Sequence, residues 1–360
     1  MIHLRIDEQL LECLEIGAAL LGTGGGGNPY IGKLRVRELL RQGKTIEVIP
    51  PEALANDDLV VSVGGIGAPV AGIEKIERGD ECLRALRAVE QETGKEIAAL
   101  VPAEIGGANS MEPMITAAQA GIPVVNADGM GRAFPELQMM SFFIYGHEPE
   151  PAAIADEKGN VVVFRNVKDM YWLERFARTI AVEMGAAAGF AIPPMRGDFI
   201  KRYAIPNTVT QAIEIGSCVL RARNENRDVL KALEEEAGGK MQFRGKITDV
   251  YRELKGGFAI GKVRMENLDK SENKAEIDIQ NENLIFRCND QVVLCVPDLI
   301  ILLDLESGEP ITTEVLRYGM RVAVMAIGCH PLMRTEKALH VVGPQAFGYP
   351  DVEYQPLEQG

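Results

Sequence analysis

Two carboxylates sit immediately after short apolar runs, each in a glycine-rich stretch. Glu104 lies in Pro102-Ala103-Glu104-Ile105-Gly106-Gly107-Ala108-Asn109, and Asp128 in Asn126-Ala127-Asp128-Gly129-Met130-Gly131-Arg132-Ala133-Phe134-Pro135-Glu136. Acids placed at strand ends among small residues can be desolvated, which suits them to general acid/base work or to holding a hard cation. Asn109 and Arg132 stand close by, and Arg132 could hold an anionic group of a substrate. The plain alternative is that Asp128 caps a helix and Glu136 is a solvated first-turn acid. That alternative weakens for the group as a whole, because three strand-end loops are glycine-rich.

The other two glycine-rich stretches are Gly22-Thr23-Gly24-Gly25-Gly26-Gly27-Asn28-Pro29 and Gly64-Gly65-Ile66-Gly67-Ala68-Pro69. Four consecutive glycines cost backbone entropy, so the first loop is expected to need positive φ or close backbone approach. Read functionally, Thr23, Gly24, Gly25 and Gly26 turn backbone amides toward an anion or a polar ring. Read plainly, they form a flexible connection between helices. The loop is not a dinucleotide fingerprint, because it follows a helix rather than a strand. Gly64 and Gly65 do follow a strand, but Pro69 interrupts the helix that should open next, so they read as a pocket wall. All four loops are expected around one pocket.

Metal and nucleophile signatures are sparse. There is no HxH, HxxxH, CxxC or GxSxG. Of the four histidines only His330, in Gly328-Cys329-His330-Pro331, suggests a site. A divalent cation would draw on Asp128, Glu104 and His330, although no spacing demands one and the cofactor stays unspecified. The six cysteines are scattered, several in apolar runs such as VVLCV, as buried thiols of a reduced compartment are.

The elements that must position these residues follow from pattern. Asp7 can cap a helix from Glu8 to about Leu21. Helices are expected over Lys33–Arg41, Glu77–Glu92 and Pro113–Ala120, with strands over Thr45–Ile49, Leu59–Val63, Ile97–Val101 and Ile122–Val125. That alternation predicts an α/β, three-layer domain with a mainly parallel sheet over residues 1–166. Val161–Phe164 reads as a strand, and Asp169–Gly189 and Thr208–Glu236 as helices that bridge the domains over 167–240. From Gln242, five strand-like runs without helices predict a mainly β, barrel-like domain over 241–360. Within it, Asp278-Ile279-Gln280-Asn281-Glu282-Asn283 packs polar residues into a strand-like run, so some must face inward, unless they are polar rim turns.

At 360 residues, two domains are expected. The formal charge of −14 argues against a nucleic-acid or anionic-membrane partner. No apolar run reaches membrane-spanning length, and the N-terminus carries no signal-peptide pattern. A cytoplasmic location, a small-molecule substrate and a homo-oligomer are the matching expectations.

LGTGGGGNP, VSVGGIGAP, VPAEIGGANSMEP, GIPVVNADGMGRAFPELQM, IDIQNENLIFR, VPDLI, GEPITTEVLRYGMRVAV and VGPQAFGY, in that order, resemble the S-methyl thiohydantoin desulfurase family, formerly DUF917. The resemblance runs from about Asp7 to Tyr349. It implies an α/β domain followed by a β-barrel-like domain, and removal of a sulfur substituent from a thiohydantoin ring to give a hydantoin. It also implies kinship with hydantoinase and oxoprolinase-type proteins acting on cyclic amides. Two rival readings remain at this stage. One is an ATP-dependent cyclic-amide hydrolase component with phosphate on the glycine loop, though no GxxxxGK[ST] is present. The other is a protein that binds its ligand without turnover.

Overall fold

Asp7 takes an extended backbone and its side chain accepts from Leu10 N at 2.8 Å, which starts helix α1 (Glu8–Leu21). The computed structural model describes residues 3–67, 75–255, 258–269 and 272–357. After α1 the chain turns through the glycine loop into the helix Tyr30–Arg41, which begins three residues earlier than the pattern indicates.

The α/β part holds two sheets. The first has the order β1 (Leu4–Arg5), β2 (Glu47–Ile49), β6 (Val124–Val125), β5 (Ala99–Leu100), β3 (Leu59–Val61), β11 (Met195–Arg196). Its four central strands are parallel and its two edge strands antiparallel. The second is wholly antiparallel, with the order β4 (Val63–Gly67), β10 (Ala187–Ala191), β8 (Ala152–Ala155), β9 (Val161–Phe164). The run Leu59–Val63 therefore splits at the buried Ser62, one half in each sheet. The helix expected over Asp169–Gly189 spans Met170–Glu183, with Asp169 as its cap. Gly185 and Ala186 then adopt left-handed φ, and Ala187–Ala191 crosses the middle of the second sheet. An alanine-rich strand buried on both faces has no alternation to betray it.

The C-terminal part is one antiparallel sheet curled into a half-barrel. Its order is β17 (Gln291–Cys295), β16 (Glu282–Cys288), β15 (Lys274–Gln280), β14 (Phe258–Asn267), β13 (Lys240–Lys255), β19 (Arg321–Ile327), β18 (Leu299–Asp304). The five expected runs become seven strands. One run breaks at Asn281, which has a left-handed φ of 57°, and another at the cis bond Val296–Pro297. Phe243, Ile277, Phe286, Leu302 and Val324 form the half-barrel's own core. A larger apolar cluster runs from Leu11 and Leu100 through Leu284, Ile285 and Leu299 to Met333, so the two parts share buried surface. Among the described residues no helix is long and apolar enough to cross a membrane.

Helix Thr208–Asn224 lies directly on α1. A Cβ at Gly17 would stand 1.8 Å from Ala212 O, and one at Gly216 would stand 1.9 Å from Cys13 O. Only glycine permits backbones this close, and the pair fixes the helix that leads into the glycine loop. Gly17→Ala or Gly216→Ala is expected to cost about 1–3 kcal/mol by forcing the helices apart, measurable as a lower urea midpoint at unchanged m-value.

Candidate active site

The four glycine-rich loops meet. Ala108 N donates to Gly26 O at 2.9 Å and Gly107 N to Ala18 O at 2.8 Å, which ties the loop after β5 to the loop after α1. Gly129 N donates to Ala103 O at 3.1 Å, which brings in the loop after β7 (Ala127–Asp128). Asn109 joins the fourth: its Oδ1 accepts from Gly65 N at 2.7 Å and its Nδ2 donates to Gly65 O at 3.3 Å. Ala68 and Pro69, the end of that loop, lie outside the described residues. Gly65 is exposed, while Gly26, Gly27, Gly64 and Asn109 are half-buried, so the cluster reaches solvent along this edge. A separate groove of about 680 Å³, lined by residues including His147, Lys168, Tyr171 and His340, contains none of these residues.

Glu104 is tied to that edge through Asn109. Its Oε1 accepts from Asn109 Nδ2 at 2.8 Å and its Oε2 from Phe134 N at 3.2 Å. Each oxygen keeps a further lone pair. Burial raises its pKa to about 8, with nearby Glu282 and Asp128 adding to the rise and its two donors opposing it. Asp128 is wholly buried and serves differently. Its oxygens accept from Gly131 N at 3.0 and 2.8 Å and from Ile105 N at 2.8 Å. It caps a turn rather than a helix, and it clamps the Glu104 loop from behind. Burial lifts it to about 7 against the pull of those amides.

The glycine loop after α1 does cradle a carboxyl group, and the group is the protein's own Glu282. Gly26 N donates to Glu282 Oε1 at 3.2 Å. A Cβ at Gly25 would lie 2.2 Å from that same oxygen, so any larger residue would drive the carboxyl away. Thr23 N and Gly25 N are already bonded to Leu20 O and Gly22 O. Thr23 O accepts from Asn283 N at 2.9 Å, and Gly24 O from Thr313 N at 2.7 Å. Thr23, Gly24 and Gly25 are thus committed to the seam with the half-barrel. The amides of Thr23 and Gly25 are bonded within the protein, Gly24 is buried at the same seam, and Gly26 stands at the open edge.

Arg132 is likewise engaged within the protein. It is fully buried, and all five N–H donors are spent on neutral oxygens. Nε donates to Ala133 O, Nη1 to Asp298 O at 2.8 Å and Pro297 O at 3.3 Å, and Nη2 to Thr23 Oγ1 at 2.7 Å and Asn283 O at 3.4 Å. Its guanidinium also covers the Phe134 ring, 4.5 Å from the centroid. No donor is left for a substrate anion. Burial lowers its pKa to about 10, so it stays charged at neutral pH and faces Glu282 and Glu104 as an internal cation.

Glu282 is the site residue that sequence reasoning passed over. It opens β16 and is 2% exposed. Burial raises it to about 8, while Arg132 pulls the other way. Its Oε2 is buried and has no hydrogen-bond partner among the described residues. The signal was the polar run around Asn281, whose left-handed turn aims the next residue inward.

The third proposed metal ligand, His330, accepts from Leu332 N through Nδ1 at the head of a short turn. Burial and Arg334 lower its pKa. Among the described residues no three His, Cys, Asp or Glu side chains are grouped so as to hold a metal ion, which leaves Asp128, Glu104 and His330 unassembled as a ligand set. The thiols are held protonated. Cys82, which donates to Gly64 O, is pushed well above its usual range by burial and Glu112, and burial takes Cys329 up to about 12.

A crystal structure of a protein from Chromobacterium violaceum has the same fold, with a TM-score of 0.81 at 23% identity over 99% of this chain and 100% of that one. A comparison with curated proteins finds no match. The family model described as S-Me-THD-like, N-terminal domain, matches residues 9–166, and that described as S-Me-THD-like, C-terminal domain, matches residues 168–357. Glu104, Asp128 and the glycine loop fall in the first match, Glu282 in the second, and the chain belongs to the S-methyl thiohydantoin desulfurase-like family.

Proposed function

We propose that the protein hydrolyses a sulfur substituent from a thiohydantoin-like five-membered ring, with Glu104 as general base. The observation that carries this reading is Glu104 itself: a buried carboxylate with raised proton affinity, anchored through Asn109 to the exposed edge at Gly65. The ring carbon bearing sulfur in such a substrate is amidine-like and electrophilic, so an activated water is sufficient to attack it. Water oxygen bonds to that carbon, Glu104 takes one water proton and passes it to the ring nitrogen, and the carbon–sulfur bond then breaks to leave a ring carbonyl and a thiol. A base with pKa about 8 both accepts and returns a proton readily near neutral pH. Asp128 holds the loop that carries the base. The family assignment supports the substrate class.

The test is to incubate the protein with an S-methyl thiohydantoin in water enriched in oxygen-18. Methanethiol should appear together with a hydantoin carrying the heavy oxygen at the former sulfur-bearing carbon. Thiol release without label in the ring would rule out hydrolysis.

A further inference from the structure

The half-barrel places one acid in the site for which the base alone gives no use. Glu282 Oε1 accepts from Gly26 N at 3.2 Å, and Oε2 has no partner among the described residues. A buried carboxylate oxygen without a donor is costly when charged, whereas a carboxylic acid carries its own proton there. Burial and Glu314 favour the acid form and Arg132 opposes it, with the balance on the side of the acid at neutral pH. Gly25 packs against Glu282 without a side chain, and Gly26 is half-exposed. Glu282 lies close enough to Glu104 for its charge to raise the proton affinity of Glu104. One acid thus sits on the seam with its proton unspent, and the other is anchored toward the open edge.

We propose that Glu282 is the general acid that protonates the departing sulfur, a catalytic residue supplied to the site by the half-barrel. The assignment rests on the hydrolytic reading above. A ring bound over Gly26 and Gly27 replaces the long Gly26 N–H bond as partner of this carboxyl. As the carbon–sulfur bond breaks, its electron pair goes to sulfur and the Glu282 proton joins it, so the product leaves as a neutral thiol. Glu282 regains a proton from the hydroxyl of the collapsing adduct, which becomes the ring carbonyl. With the proton that Glu104 moves from water to ring nitrogen, one water is consumed and no oxidant or reductant is needed.

Leaving-group dependence tests this. An S-methyl ring expels a poorly stabilised thiolate and needs the proton, whereas an S-(4-nitrophenyl) ring expels a stable one and does not. Glu282→Gln is expected to lose about 100-fold or more in kcat on the S-methyl ring and to stay within about fivefold of wild type on the S-nitrophenyl ring. Glu104→Gln should lose activity on both. Glu282→Asp, which keeps a carboxyl, should retain more S-methyl activity than Glu282→Gln. An equal loss on both rings in both Glu282 variants, or no loss on either, would overturn the assignment. A wild-type protein that releases thiol from neither ring would overturn the hydrolytic reading beneath it.

Discussion

Glu104→Gln is expected to lower thiol release by about 100- to 10,000-fold, the span that a positioned general base contributes. The amide keeps the shape and can still accept from Phe134 N, so the fold should survive and the loss should fall on kcat. The pH profile carries the same signature. A base must be ionised to act, and burial holds Glu104 up to about 8, so kcat on the S-(4-nitrophenyl) ring, which needs no acid, should rise with pH through that value. On the S-methyl ring, loss of the Glu282 proton, also held to about 8, should turn the rise into a bell. Cys82→Ser and Cys329→Ser should leave turnover in place, because burial keeps both thiols protonated. Full activity in Glu104→Gln together with loss in either serine variant would remove Glu104 from the mechanism. Stability should follow the opposite course with pH. Glu104, Glu282 and Asp128 all bind protons more tightly folded than unfolded, so their contribution is complete below the ordinary carboxylate range. It declines as pH rises toward 7 and 8. Urea titrations at several pH values would register this, and Glu104→Gln should flatten the decline.

The second large effect is on stability. Arg132→Met is expected to cost on the order of 4 kcal/mol, since it strands several buried acceptors at once and each unpaired one costs about 1–3 kcal/mol. The carbonyls of Ala133, Asn283, Pro297 and Asp298 and the hydroxyl of Thr23 all lose their donor. Arg132→Lys should recover only part of this, because one ammonium cannot reach five acceptors laid out for a planar fork. The measurement is the urea unfolding midpoint. A shift of less than about 1 kcal/mol in Arg132→Met would mean that the buried fork contributes little beyond its apolar packing.

The elements governed by local chemistry were legible from the residues alone. Asp7 caps the helix that its type and position indicate, and the helix expected from Asp169 starts there, with Asp169 as its cap. The parallel strands before Glu104 and Asp128 stand where apolar runs give way to small and polar residues. Legibility failed where tertiary packing decides. Ser62 gives no local hint that the chain changes sheets, and Ala187–Ala191 carries helix-compatible residues into a central strand. Arg132 illustrates a subtler failure: its loop was found, but whether a guanidinium faces substrate or carbonyls depends on a segment more than 160 positions away. Glu282 was visible only as one polar residue in a run of six, and its partner is the amide of Gly26.

That partnership spans 256 residues of sequence. A chain made from its N-terminus therefore has Glu104, the glycine loop and the strands of both α/β sheets long before Glu282 emerges. Until β16 is made and docked, Gly26 N lacks its carboxylate, and the carbonyls of Thr23 and Gly24 lack the amides of Asn283 and Thr313. During synthesis the glycine loop stays an open, high-entropy segment that closes only on a contact of very large sequence separation. Catalytic competence would thus be withheld from nascent and truncated chains. It would be among the last properties acquired, and any ribosomal product ending before Glu282 would lack that carboxyl together with Leu284, Ile285 and Leu299 of the shared apolar cluster.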